Sequence, residues 1–147
     1  MKFSQTNQGR VFVIRLEDGE ILHEKIEEFA REHSIKAASL MVLGCADKGS
    51  KLIVGPENGR GKKIVPLEYI LDNVYEITGN GTIFPGPTGE PVLHMHIACG
   101  RKGSAKVGCV RNGVKVWHLM EIILTELPDS IARRELDKAT GFELLNP

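Results

Sequence analysis

The chain has 147 residues, 41% of them apolar, and sets 19 basic against 19 acidic side chains, for a formal net charge of zero and a pI near 7.0. That length suits one domain around a single core, so one domain over residues 1–147 is expected. The charge balance supplies no overall attraction to phosphate and argues against nucleic-acid binding by net electrostatics, leaving only local basic patches.

The opening stretch "MKFSQTNQGRVFVIR" lacks the apolar centre of a secretion signal. No window reaches the roughly eighteen apolar residues needed to span a bilayer, so a cytoplasmic protein without a membrane partner is expected. "RVFVIRL" at 10–16 alternates as a strand does, and Asp18 and Gly19 suit a turn or helix start. From Glu20 to His33, Leu22, Ile26, Phe29 and Ala30 recur at helical spacing, which predicts the one strong helix, with His23 and His33 on its surface. "KAASLMVLGCA" reads as a strand buried on both faces, and "SKLIVG" as its continuation or partner after the turn "DKGS". "PENGRGKK" is an exposed loop whose Arg60, Lys62 and Lys63 form the most basic local cluster.

The strands "YEITGNGTIF", "VLHMHIACG", "AKVGCV" and "VKVWHLMEIILTEL" follow, separated by short turn segments. Such close spacing favours hairpins and meanders. The expected class is therefore α+β, an antiparallel sheet or partly closed barrel with one packed helix. The tail "PDSIARRELDKATGFELLNP" reads as a short helix or an extended arm. The last long strand is apolar on both sides, with Val114, Val116, Met120, Ile122 and Leu124 on one and Trp117, Leu119, Ile123 and Leu127 on the other. One helix covers one face of a sheet, so a homo-oligomer is expected, with the face of Val114, Val116 and Ile122 as its interface.

The order of "YEITGNGTI", "VLHMHIACG", "KVGCVRNG", "MEIILTEL" and "RRELDKATGFELL" resembles the PPC domain, a module of plants and prokaryotes, over nearly the whole chain. The resemblance implies a compact α+β domain with one main helix, assembled as a trimer. In plants the domain accompanies separate AT-hook segments; the free-standing prokaryotic form, which this chain resembles, has no settled activity. No AT-hook core occurs here, and "NGRGKK" is a loop. Where the family often has Gly-Gly-His-Leu, this chain has "VGCV", so Cys109 stands in the histidine position.

The residues of "VLHMHIACG" carry the sharpest chemical signal. Leu93, Met95, Ile97 and Cys99 fall on one face of the strand; Val92, His94, His96 and Ala98 fall on the other. Histidines at i and i+2 stand about 6.6 Å apart at Cα, close enough for two imidazoles to reach one ion. A two-residue turn at Asn112 and Gly113 would pair Cys109 with Val116 and Val107 with His118, bringing Cys109 and His118 onto one face. The candidate metal ligands are therefore His94, His96, His118 and Cys109, and imidazole with thiolate suits Zn2+ better than magnesium or calcium. Cys45, Cys99 and Cys109 form an odd set without a C-x-x-C pair, which suits reduced thiols.

Three functional readings follow, in order: a metal-binding homotrimer; a DNA-associated regulatory module using "GRGKK" and "ARRELDK"; and a metal-dependent hydrolase or lyase with Glu121 or Glu76 as general base.

Overall fold

The computed structural model describes residues 1–61, 64–111 and 113–147. Eight strands form one antiparallel sheet: β1 (Val11–Glu17), β2 (Ala38–Ala46), β3 (Lys51–Pro56), β4 (Pro66–Ile70), β5 (Tyr75–Pro85), β6 (Pro91–Arg101), β7 (Ser104–Val110) and β8 (Val116–Glu126). A separate hairpin of β9 (Arg133–Leu136) and β10 (Glu143–Asn146) ends the chain. The order across the large sheet is β1-β8-β2-β5-β6-β7-β3-β4, and β1 and β4 do not pair, so it stays open rather than closing into a barrel. Among the described residues the single helix is α1 (Leu22–Glu32), and no helix is long and apolar enough to cross a membrane.

Sequence periodicity explains how α1 seats. Leu22, Ile26 and Ala30 are fully buried against the sheet, while Phe29 is part-buried and meets Phe12 of β1 edge to face at 5.2 Å. The Glu27 carboxylate accepts a 2.9 Å hydrogen bond from the Leu93 N–H, fixing the helix to the start of β6. His23, expected on the surface, is half-buried, with its Nδ1 enclosed and without a hydrogen-bond partner among the described residues.

The inner face collects Leu40 and Val42 of β2, Ile77 and Ile83 of β5, Leu93, Met95 and Ile97 of β6, and Met120, Ile122 and Leu124 of β8. Val114, Val116 and Ile122 lie in this core, so the face expected to form an interface is covered by the protein's own helix. The opposite face is the open one. Met41 and Leu43 of β2 are 47% and 46% exposed, which corrects the reading of β2 as buried on both sides.

Two glycines set how closely β5 and β6 approach. A Cβ at Gly79 would lie 2.4 Å from the His96 carbonyl oxygen and 2.6 Å from Ile97 Cγ2, and one at Gly81 would lie 2.8 Å from Met95 Cβ. The space beside Gly79 is taken by the His96 carbonyl and the Ile97 side chain, and that beside Gly81 by the Met95 side chain. Gly79→Ala is expected to destabilise the domain by about 3 kcal/mol, the upper end for overpacking, as read by denaturant unfolding.

Several connections depart from the local pairing that spacing suggested. β3 pairs with β4 and β7, not with β2, and β8 inserts between β1 and β2 instead of folding back on β7. Both edges of β7 are already taken by β6 and β3, so no Cys109 hairpin with β8 forms. Asn112 of the expected turn lies outside the described residues, as do Lys62 and Lys63 of the basic loop. The tail is an arm that closes on itself as β9–β10 through a turn at Asp137, whose carboxylate accepts from the Ala139 N–H and the Thr140 hydroxyl.

At the end of β8 the Arg10 guanidinium donates to both carboxylate oxygens of Glu126, at 2.7 and 2.8 Å. That contact holds the Glu126 carboxyl below its usual range, so its contribution to stability is present above the ordinary carboxylate pKa and fades as pH falls through the depressed one. Glu126→Gln is expected to lower the thermal midpoint at pH 7 by a few degrees at most, because Arg10 is half-exposed. The difference from wild type should vanish once the pH is well below about 4.

Candidate metal centre

β6 alternates as its sequence dictates. Leu93, Met95, Ile97 and Cys99 point into the core, and His94 and His96 stand on the outer face with ring centroids 5.2 Å apart and planes at 72°. One cross-strand row passes through His96 from end to end of the sheet: Val13, Ile123, Met41, Asn80, His96, Cys109, Ile53 and Glu68. Cys109 thus neighbours His96 directly, because β7 pairs with β6.

One donor atom from each of His94, His96 and Cys109 lies within 4.8 Å of the other two. Ligands on a tetrahedral zinc stand about 3.3–3.8 Å apart, so small side-chain rotations close the set onto one ion. The chemistry agrees, with two imidazoles and a thiol that becomes a thiolate on binding. Burial first, then the charges of Arg134, Arg111 and His96, hold His94 below its ordinary pKa, which keeps its lone pair free.

These side chains line a cavity of about 780 Å³, closed on one side by Phe142, Leu144 and Leu145 of the terminal hairpin and its approach. Two guanidiniums share it. Arg111 donates from Nε to Cys109 Sγ at 3.3 Å, and Arg134 reaches Thr82 Oγ1 at 3.4 Å. Sequence reasoning had Arg134 only as part of the basic segment "ARRELDK" and gave Arg111 no role in the site. Arg111 follows Cys109 by two residues, the strand spacing that had identified the histidine pair, whereas Arg134 depends on how the tail folds.

The fold does not bring His118 to this group within the protomer. It sits on β8, with β2 and β5 between β8 and β6. Its backbone is left-handed (φ 60°), its N–H donates to Asp18 Oδ1 at 2.7 Å, and its ring stacks edge-on against Trp117 at 4.1 Å. This is the bulged part of the β2–β8 pairing, where Gly44 faces Met120 and Ala46 faces Val116. The two candidate general bases are also elsewhere. Glu121 pairs across from Arg15 and Leu43, and Glu76 accepts from the Cys45 thiol at 3.4 Å, opposite Gly100 and four residues along β6 from His96. The carboxylates that line the cavity are Glu68 and Glu143.

The remaining thiols are ill suited to reaction. Cys99 is fully buried and pushed up to about 11 by that burial, and burial with the nearby Glu76 raises Cys45. Of the basic segment "ARRELDK", Arg133 is exposed and ion-paired with Glu135 at 2.7 Å, while Arg134 is buried in the cavity.

Solved structures share this fold. A plant- and prokaryote-conserved protein from Pyrococcus horikoshii has a TM-score of 0.84 at 26% identity, covering 100% of this chain and 98% of its own. A metal-containing protein from Archaeoglobus fulgidus has a TM-score of 0.83 at 24% identity, with 100% of both chains covered. A candidate DNA-binding protein from Bacteroides thetaiotaomicron has a TM-score of 0.76 at 17% identity, covering 97% of this chain and 98% of its own. No curated protein sequence matches the chain. Residues 3–128 match the Plants and Prokaryotes Conserved (PCC) domain, the module abbreviated PPC above, and the chain therefore belongs to that family.

Proposed function

We propose that the protein binds a divalent transition metal, zinc by preference, through His94, His96 and Cys109, and does so as a homotrimer. The observation that carries this reading is the convergence of the three donors within 4.8 Å at one cavity wall. Two imidazoles and a thiolate favour zinc over magnesium or calcium, and three protein ligands leave one position open on a tetrahedral ion. The Archaeoglobus relative described as metal-containing lends support. His118 enters the ligand set only if a neighbouring protomer supplies it.

An open position is compatible with a sensing or a catalytic role, and with neither Glu76 nor Glu121 beside the donors a hydrolase would have to use Glu68 or Glu143 as its base. The decisive measurement is elemental analysis of protein purified without an affinity tag. About one zinc per chain supports the reading, and substoichiometric metal after zinc dialysis defeats it. His118→Ala should leave the metal content unchanged.

A DNA-associated role is the second reading, favoured by the Bacteroides relative. Three copies would gather three basic loops around Arg60, although the burial of Arg134 and the pairing of Arg133 remove much of the second patch. A gel shift on random duplex DNA that weakens steeply with salt would support it; no shift at low salt would eliminate it.

A further inference from the structure

We infer that the cavity at His94, His96 and Cys109 receives an organic carboxylate, whose charged end is held by Arg134 and Arg111 beside the metal position and whose apolar body lies against the terminal hairpin. The inference rests on the metal-binding reading and names the ligand of that same site.

Arg134 carries the argument. It is only 5% exposed, and its Nε is enclosed without a hydrogen-bond partner among the described residues. Among the described residues its one hydrogen bond, to Thr82 Oγ1, is long at 3.4 Å, and no carboxylate forms an ion pair with it. A buried guanidinium with an idle N–H is costly, and a planar two-oxygen anion satisfies its fork. Thr82 is the register partner of His94, so the idle donor stands beside a proposed metal ligand rather than at a remote wall.

Charge points the same way. A divalent ion with one thiolate and two neutral imidazoles keeps a single positive charge and an open position. Among the described lining residues Arg111 and Arg134 add two more positive charges to the cavity, and Glu68 and Glu143 offset two. One anionic group restores neutrality. The cavity walls select its body: Ile53, Phe142, Leu144 and Leu145 are apolar, and about 780 Å³ is far more than an inorganic anion fills, within the range of small-molecule sites.

The test uses the full chain loaded with zinc and calorimetric titration with hexanoate, hexan-1-ol and inorganic phosphate. Hexanoate is expected to bind saturably and hexan-1-ol, with the same body and no charge, at least tenfold more weakly. Arg134→Met should retain its zinc while losing hexanoate affinity at least tenfold, and Arg134→Lys should recover part of it. Should Arg134→Met fail to fold, Arg111→Met, at an exposed position, should show the loss with zinc retained. A zinc-loaded wild type with no saturable hexanoate binding overturns the inference and leaves the metal reading standing; equal affinity for hexan-1-ol also overturns it. Phosphate binding more tightly than hexanoate overturns the carboxylate assignment. Failure of the metal reading is seen separately, as missing zinc in elemental analysis, and unchanged hexanoate affinity in zinc-free protein breaks the link between anion and metal.

Discussion

His94→Ala is expected to release the metal entirely, taking zinc from about one ion per chain to near zero. His94 is the partly enclosed member of the pair, held neutral by burial and neighbouring cations, and its loss leaves His96 and Cys109 as a two-donor site too weak to retain an ion through dialysis. The effect should extend to stability. An ion at a hundred times its Kd adds about 2.7 kcal/mol to the folded state, roughly a 10 °C rise in thermal midpoint for a domain of this size. That zinc-dependent rise should be present in the wild type and absent in His94→Ala. Cys109→His supplies a sharper control, because it restores the residue common at this position in the resembling family and exchanges one zinc ligand for another. It should keep the metal, whereas Cys109→Ala should not. Full zinc occupancy in His94→Ala would remove this site from consideration.

A glutamate at Ile123 is expected to break the proposed homotrimer into single chains. Ile123 sits mid-row on the outer face between Val13 and Met41, which are 83% and 47% exposed, and Leu43 adjoins them. This is a contiguous apolar surface that the protomer's own helix cannot reach. Light scattering should give the wild type a mass about three times the 16.2 kDa of one chain, and Ile123→Glu a mass of one chain. Because the position is a surface site of the isolated protomer, the substitution should alter chain stability by about 0.5 kcal/mol or less. A clean wild-type monomer at micromolar concentration would sink the trimer.

The sequence disclosed what is local. Alternation in β6 assigned Leu93, Met95, Ile97 and Cys99 to the core and His94 and His96 to the outer face, and helical spacing placed Leu22, Ile26 and Ala30 against the sheet. Long-range pairing was not legible. Nothing in the composition of "VKVWHLMEIILTEL" says that it will separate β1 from β2, and a turn-forming pair at Asn112 and Gly113 invited a hairpin that β7, with both edges occupied, has no room to make. The same limit explains the site. Cys109 was a candidate from its position in "VGCV", but its contact with His96 follows from β6–β7 pairing, and the tail's contribution of Arg134 follows from a hairpin that packs beside β5. His118 looked comparable to the other histidines in one dimension and differs only because its strand lies on the far side of β2 and β5. Two-sided apolarity in β8 correctly signalled an uncovered surface; the face was exchanged because Val116 and Ile122, not Trp117 and Ile123, turn toward α1.

The position of β8 between β1 and β2 governs when the domain can come into existence. Among the described residues β1 has no sheet partner except β8, and about two thirds of the chain separates the two. A nascent chain that ends before Val116 can assemble β5 against β2 and β6, but it leaves Val11–Glu17 unpaired and the β2 edge open. Folding is therefore a late closure, in which a long loop must be ordered before its contacts repay the entropy. Refolding should be slow for a protein of this size, with the open β2 edge the point at which partly made chains aggregate.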